Sequence, residues 1–280
     1  MAQVVAVLGQ GLVDPTGAIL PADDLGVVRG DGVFETIATH DGELVGLEPH
    51  LARLWRSAEL LDFALPDPAA VRALIEEAHD AFGHRVEGAL RIVATRGPET
   101  GGPATVYITV NPIGADVIAT RRDGLRLTAL STGLPVDARS RSPWLLGGAK
   151  SLSYAVTMAA RRYAIGNGFD DALWVSEDGW ALEGLTSTLV WLRGAELCTV
   201  PVDTGILAGT TADRLLDRAT DVGLTTARYR IRPGELADAD GVWMASSTRG
   251  LAPVVSLDDT PLRRSEHGPR LLALLGYPMP

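Results

Sequence analysis

The sequence predicts a mixed α/β (α+β) protein in two domains, and three observations carry that reading. Short β-branched or alternating runs interleave with segments of helical period along the whole chain. At 280 residues the chain can bury a large core, as two domains or one large one. Residues 111–114, Asn-Pro-Ile-Gly, break the pattern and form the best domain boundary. A division there would end a first domain at residue 113.

Taken in order, residues 3–8 read as a buried strand, followed by a turn over 9–17 and a return strand over 18–20. Residues 26–32 place three glycines beside Arg29 and Asp31. Two readings are open there: a plain turn, or backbone brought close to something. Residues 33–39 alternate as a strand, and Asp41-Gly42 is a strong hairpin signal. A helix starts near Leu47 with a proline in its first turn. On it Leu51, Leu54, Ala58 and Leu61 recur at helical spacing. Arg53 lies between those apolar positions, either as an ordinary surface arginine or as an inward-facing anion clamp. A second helix is predicted over 68–82, with Val71, Leu74, Ile75 and Ala78 on one face. Strands follow at 89–95, which contains Arg91 and precedes Arg96, and at 105–110.

Beyond the boundary, residues 125–130 read as a strand. Residues 133–148 form an irregular loop carrying Arg139 and Arg141. That loop ends at Lys150, the only lysine in the chain. Lysine plus arginine total 25, so the other 24 are arginine. A lysine can lose its proton, attack a carbonyl and form a Schiff base, whereas arginine stays protonated. Ser151 is read as the cap of a helix whose apolar face is Leu152, Ala155, Val156, Ala159 and Tyr163. That would place Lys150 at a helix start, where the dipole and partial burial both disfavour the charged amine. Strands at 172–176 and 189–192 flank Glu183, which is either a strand-end acid or an acceptor held for a cationic ring nitrogen. Gly209-Thr210-Thr211 precedes a helix over 212–222. Its hydroxyls either cap that helix or join its free N–H groups in holding a phosphate. Ser247 and Thr248 lie in a hydroxyl-rich turn before a final strand.

Net charge is −10, with sequence pI about 5.0 and no basic tract, which argues against nucleic acid as a partner. Cys198 is the one cysteine, and the five histidines lack metal-ligand spacing, so no metal is expected. No signal peptide and no apolar run of about 18 residues are seen, so a soluble cytoplasmic protein without a membrane partner is expected.

Together, an amine, an acid for a pyridinium nitrogen, and cations with helix N–H groups for a phosphate are what pyridoxal 5'-phosphate requires. The order of motifs resembles the class IV (fold type IV) pyridoxal-phosphate enzymes. These include branched-chain and D-amino acid aminotransferases and 4-amino-4-deoxychorismate lyase. The resemblance runs from Gly30-Asp31-Gly32-Val33-Phe34-Glu35-Thr36 to residues 246–254. It implies that Lys150 carries the cofactor and moves protons, and that Glu183 pairs with the pyridine nitrogen. It implies phosphate contacts from Arg53, from Gly209, Thr210 and Thr211, and from Ser247 and Thr248. Ala208 stands where the family usually has proline, and Thr188 where many relatives have asparagine. Tyr154 would lie one turn after Lys150, within reach of the cofactor. Arg91, Arg96, Arg139 and Arg141 are the candidates for substrate carboxylates. The resemblance further implies a homodimer, a smaller N-terminal α/β sandwich over 1–113, a linker over 114–122, a larger C-terminal domain over 123–280 with a barrel-like sheet, and a cofactor in the cleft between the domains. The strand around Arg91, with Ala89 where branched-chain enzymes tend to have tyrosine, favours the lyase. An aminotransferase, or both activities, is the alternative.

Overall fold

The computed structural model describes residues 3–83 and 86–279. The chain forms two compact units. One comprises Met1–Gly114 with Ala149–Tyr154, and the other Ala115–Gly148 with Ala155–Pro280. The mixed α/β class expected from the alternating pattern is the class observed.

In the first unit the elements are β1 (Val4–Val7), β2 (Gly11–Val13), α1 (Leu25–Val28), β3 (Gly32–His40) and β4 (Glu43–Leu44). Then follow α2 (Leu47–Leu60), α3 (Pro68–Phe82), β5 (Gly88–Thr95) and β6 (Thr105–Pro112). The six strands form one antiparallel sheet in the order β2-β1-β6-β5-β3-β4. The β3–β4 turn has positive φ at both Asp41 (50°) and Gly42 (80°), the conformation that matches strand twist in a two-residue hairpin. The return strand on β1 is Gly11–Val13 and not residues 18–20, because β1 reverses immediately through Gln10, whose N–H bonds Val7 O. Helix α3 starts as its sequence dictates, with the Asp67 carboxylate accepting from Ala69 N–H and Pro68 in the first turn. Both long helices bury their apolar faces on the sheet, where Leu54, Ala58, Leu74, Ile75 and Ala78 meet Ile37, Leu90, Ile92 and Ile108. The buried side of α2 is divided. Beside Leu51, Leu54 and Ala58 runs a second row, His50, Arg53 and Ser57, at the same helical spacing. A polar row facing inward has no packing rationale, which marks it as a site.

In the second unit the elements are α4 (Ala115–Asp123), β7 (Leu125–Ser131), α5 (Ala138–Arg141), α6 (Ala155–Gly166), β8 (Asp171–Val175), β9 (Ala181–Gly184) and β10 (Thr188–Arg193). They continue with β11 (Glu196–Thr199), α7 (Thr210–Asp217), β12 (Thr225–Arg228), β13 (Gly241–Ser246), β14 (Gly250–Leu257), β15 (Thr260–Pro261) and α8 (Gly268–Leu274). The sheet order is β12-β11-β10-β13-β14-β7-β8-β9, with β15 on β14. The linker expected over 114–122 lies, from residue 115 on, in helix α4. The parallel β7–β8 pair requires a crossover, and α6 forms part of it. The core centres on Trp191, Leu173, Leu189, Leu127 and Met244.

Two local expectations are corrected. Helix α6 begins at Ala155, not after Ser151. Its buried face is Ala160 and Ala164, one turn apart and packed with Ala172 and Leu185, while Val156 and Tyr163 are exposed. The predicted 212–222 helix begins at Thr210 and breaks at Arg218, continuing as a short 3-10 turn over Ala219–Val222.

Candidate active site

Lys150 lies in extended backbone along β3. Phe34 N–H bonds Lys150 O at 3.1 Å, Leu152 N–H bonds Gly32 O at 2.8 Å, and Ser151 bridges Val33. Ser57, from the polar row of α2, accepts the Lys150 backbone N–H at 3.1 Å. The glycine at 32 is required by this approach, since a Cβ there would lie 2.7 Å from Leu152 Cδ1 and 2.5 Å from Ala94 O. That resolves the two readings of the Gly-Asp-Gly stretch in favour of close approach. The helix-start argument for Lys150 does not apply, because α6 begins five residues later.

The lysine's own surroundings are aromatic. Its Nζ lies 4.4 Å from the centroid of the Phe34 ring. Tyr154 meets the same ring edge-on at 5.2 Å, although it precedes α6 instead of standing one turn along it. The Arg91 guanidinium lies 5.8 Å from that ring, with Nε 3.5 Å from Thr36 Oγ1. Phe34 thus gathers the amine, a phenol and a cation, a role that strand periodicity alone did not single out.

Arg53 is buried, at 4% exposure, which selects the inward reading. Its Nε and Nη2 grip Glu35 at 2.6 and 2.8 Å, and His50 Nδ1 reaches the same carboxylate at 2.7 Å. Burial alone would raise the Glu35 carboxyl. The hydrogen bonds and charges of Arg53 and His50 outweigh it and hold that carboxyl at about 2. Burial pushes His50 below its ordinary value, against the opposing pull of Glu35. Glu35 and His50 were not singled out in the sequence; the signal was their inward helical and strand register.

In the second unit the Glu183 carboxylate accepts from Leu207 N–H at 3.1 Å and lies 3.6 Å from Arg139 Nη1. Its side chain is 16% exposed. One hydrogen bond and one ion pair therefore set its direction. Gly209 is the N-cap of α7, and no side-chain hydrogen bond from the cap residue closes that helix start. A Cβ on Gly209 would fall 2.0 Å from Thr188 Oγ1, so only glycine lets this backbone lie against β10. Ser247 and Thr248 occupy the β13–β14 turn.

The four candidate substrate arginines separate. Arg96 is clamped by Asp31 at 2.6 Å and by the carbonyls of Leu61 and Asp62 at 2.5 and 3.0 Å. Arg141 pairs with Asp137 one turn away and is mostly exposed. Arg139 faces Glu183. Arg91 has no acidic partner among the described residues and stands on the ring shared with Lys150.

A profile of the class IV amino-transferase family matches residues 32–257. The chain belongs to the class IV aminotransferase family. Within this family it is 40% identical over 271 residues to a bifunctional aminodeoxychorismate lyase / D-amino acid transaminase of Mycobacterium tuberculosis, covering 94% of each chain. It superposes on a pyridoxal-phosphate-bound hypothetical aminotransferase from the same organism with TM-score 0.94 and 39% identity, covering 98% of both chains. A fold IV transaminase from Curtobacterium pusillum gives TM-score 0.93 at 38% identity, covering 99% of this chain and 100% of that one. Class IV enzymes depend on pyridoxal phosphate. The donor set of this chain fits that group: the single lysine of the sequence, a carboxylate held by a backbone N–H and an arginine, and a glycine-capped helix start with adjacent hydroxyls.

Proposed function

We propose that this chain is a pyridoxal-phosphate-dependent 4-amino-4-deoxychorismate lyase, giving 4-aminobenzoate and pyruvate, with D-amino acid transamination as a second activity. The observation that carries the reading is the 40% identity, over nearly the whole chain, to a relative named for both activities. The grouping of Lys150, Tyr154 and Arg91 on Phe34 supports it chemically.

Bound pyridoxal phosphate supplies an aldehyde that captures amines and a ring that accepts electrons from a breaking bond. The roles proposed for the chain's residues are these. Lys150 Nζ would hold the cofactor covalently and, once free, would serve as the acid and base that moves protons. Glu183 keeps the ring nitrogen protonated, with Leu207 N–H and Arg139 fixing the carboxylate. Arg53 contributes to phosphate binding while Glu35 and His50 hold its guanidinium in one orientation. Gly209, Thr210 and Thr211 supply N–H groups and hydroxyls at the start of α7, and Ser247 and Thr248 supply the second turn. Arg91 takes a substrate carboxylate; Arg96 and Arg141 are engaged elsewhere. Tyr154 and Phe34 would line the side of the site that holds the amine. In the lyase reaction Lys150 would serve as the base for the substrate ring proton, and loss of the enolpyruvyl group as pyruvate would leave an aromatic product. In transamination the same amine would move the proton that the exchange of amine for ketone requires. The proposed working form is a homodimer, which light scattering of the purified protein tests.

The deciding experiment is a product assay. Aminodeoxychorismate is supplied with the enzyme and pyruvate and 4-aminobenzoate are measured. D-alanine with 2-oxoglutarate is supplied separately, and glutamate is measured. Glutamate without 4-aminobenzoate would make the chain a transaminase alone.

A further inference from the structure

The turn between β13 and β14 turns its carbonyls to one side. Tyr277 OH donates to Ser247 O at 2.6 Å. Arg121 donates through Nη2 to Thr248 O at 3.1 Å and through Nε to Arg249 O at 3.0 Å. Arg121 is 3% exposed, reaches Pro278 O at 3.3 Å, and lies 5.0 Å from the centroid of the Tyr277 ring. The ring closes on the turn because residue 250 is glycine. At φ +67° a Cβ there would lie 2.8 Å from Tyr277 Cγ. The guanidinium of Arg249 is held apart by buried Asp171 at 2.7 Å.

These contacts orient the opposite side of the turn. In a trans peptide plane the C=O and the following N–H point in opposite directions, and no cis bond occurs among the described residues. With Ser247 O committed to Tyr277, the Thr248 N–H is turned away from Tyr277. With Thr248 O committed to Arg121, the Arg249 N–H is turned away from Arg121, towards Ser246 Oγ at 3.4 Å. Rotating the first plane would strand the Tyr277 hydroxyl, and rotating the second would strand a donor on buried Arg121, which is costly.

We propose that Tyr277 and Arg121 are positioning residues for the cofactor's phosphate. They pin the carbonyls of residues 247–249 so that the Thr248 N–H and the hydroxyls of Ser247 and Thr248 stay set for an anion. The inference rests on the reading of Ser247 and Thr248 as phosphate donors. It assigns a binding role to a helix that precedes the sheet and to a residue beyond the last helix, neither of which touches the anion.

The test compares pyridoxal phosphate with pyridoxal, which lacks the phosphate, in equilibrium binding to the full-length protein. Tyr277→Phe keeps the ring and removes only the hydroxyl. It is expected to weaken pyridoxal phosphate binding about tenfold and to leave pyridoxal binding unchanged. Arg121→Lys, which keeps the charge but loses the fork, should move in the same direction and serves if Tyr277→Phe does not fold. Equal weakening of both ligands, or no weakening of either, overturns the positioning role. The Ser247→Ala/Thr248→Ala double variant separates the two levels. If it loses phosphate preference and Tyr277→Phe does not, only the positioning role falls. If it keeps full preference, the phosphate reading of the turn falls and the inference with it.

Discussion

Lys150 Nζ stands 4.4 Å from the centroid of the Phe34 ring, on the strand that its own backbone pairs with. The contact fixes the position of the amine, since the lysine stem is otherwise the most mobile kind of side chain. Phe34→Leu removes the π face while keeping apolar bulk. The expected result is a fall in kcat of about tenfold, corresponding to ~1.4 kcal/mol, with the cofactor still bound. Steady-state kinetics beside the cofactor absorbance of the same preparation measures this. An unchanged kcat would leave Phe34 as packing only.

Lys150→Arg keeps charge and length but provides a group that stays protonated and cannot bond the aldehyde. We expect loss of the absorbance that belongs to the covalent lysine–cofactor link, and of all turnover. Non-covalent cofactor should survive, because the proposed phosphate and ring contacts do not involve residue 150. Retained turnover would remove Lys150 from its assigned chemistry.

The parts of the fold that were legible share one property: their signal is local. Asp41-Gly42 needs two positive φ values and both residues supply them. Asp67-Pro68 writes the start of α3. Lys150 stood out because composition left it alone among 24 arginines. What was not legible depends on partners far along the chain. Ser151 looks like a helix cap, yet it bridges Val33, and no local pattern encodes a pairing across that separation. Once Ser151 is drawn into the β3 edge, α6 must start later, and its buried face changes to the alanines at 160 and 164. The ion pair of Arg139 on α5 with Glu183 on β9 was not legible for the same reason, since the two lie far apart in the chain.

Glu35 makes stability depend on acid. Its carboxyl, ordinarily near 4.5 in an unfolded chain, is held at about 2 by Arg53 and His50 against the cost of burial. A depressed carboxyl contributes stability that is fully present above about pH 4.5 and is lost as pH falls towards about 2. The linkage amounts to roughly 3 kcal/mol. His50, pushed below its ordinary value by burial, adds a loss on acidification that begins below its unfolded value of 6.5. Denaturant melts across pH 2 to 7 should show Glu35→Gln flattened in the carboxyl window. At neutral pH it should be weaker by about 3–5 kcal/mol, because Arg53 keeps its charge without its partner. A mutant melt parallel to the wild type through the acid range would show that the pair contributes nothing there.

Gly209 and Thr188 make the last prediction, because their backbone–side-chain packing sets the start of α7. A Cβ at 209 would lie 2.0 Å from Thr188 Oγ1 and 3.1 Å from Thr188 Cβ. Gly209→Ala therefore forces either β10 or the first turn of α7 to move. Overpacking of this kind costs about 1–3 kcal/mol. The helix start carries the proposed phosphate donors, so pyridoxal phosphate affinity should fall with it. Thr188→Ala alone should be mild. Combined with Gly209→Ala, it removes the 2.0 Å clash but leaves the 3.1 Å one, so rescue should be partial. A double-mutant cycle in cofactor affinity reads the coupling. Strictly additive effects would mean that the two residues act on the cofactor separately and that the packing between them does not set the phosphate cup.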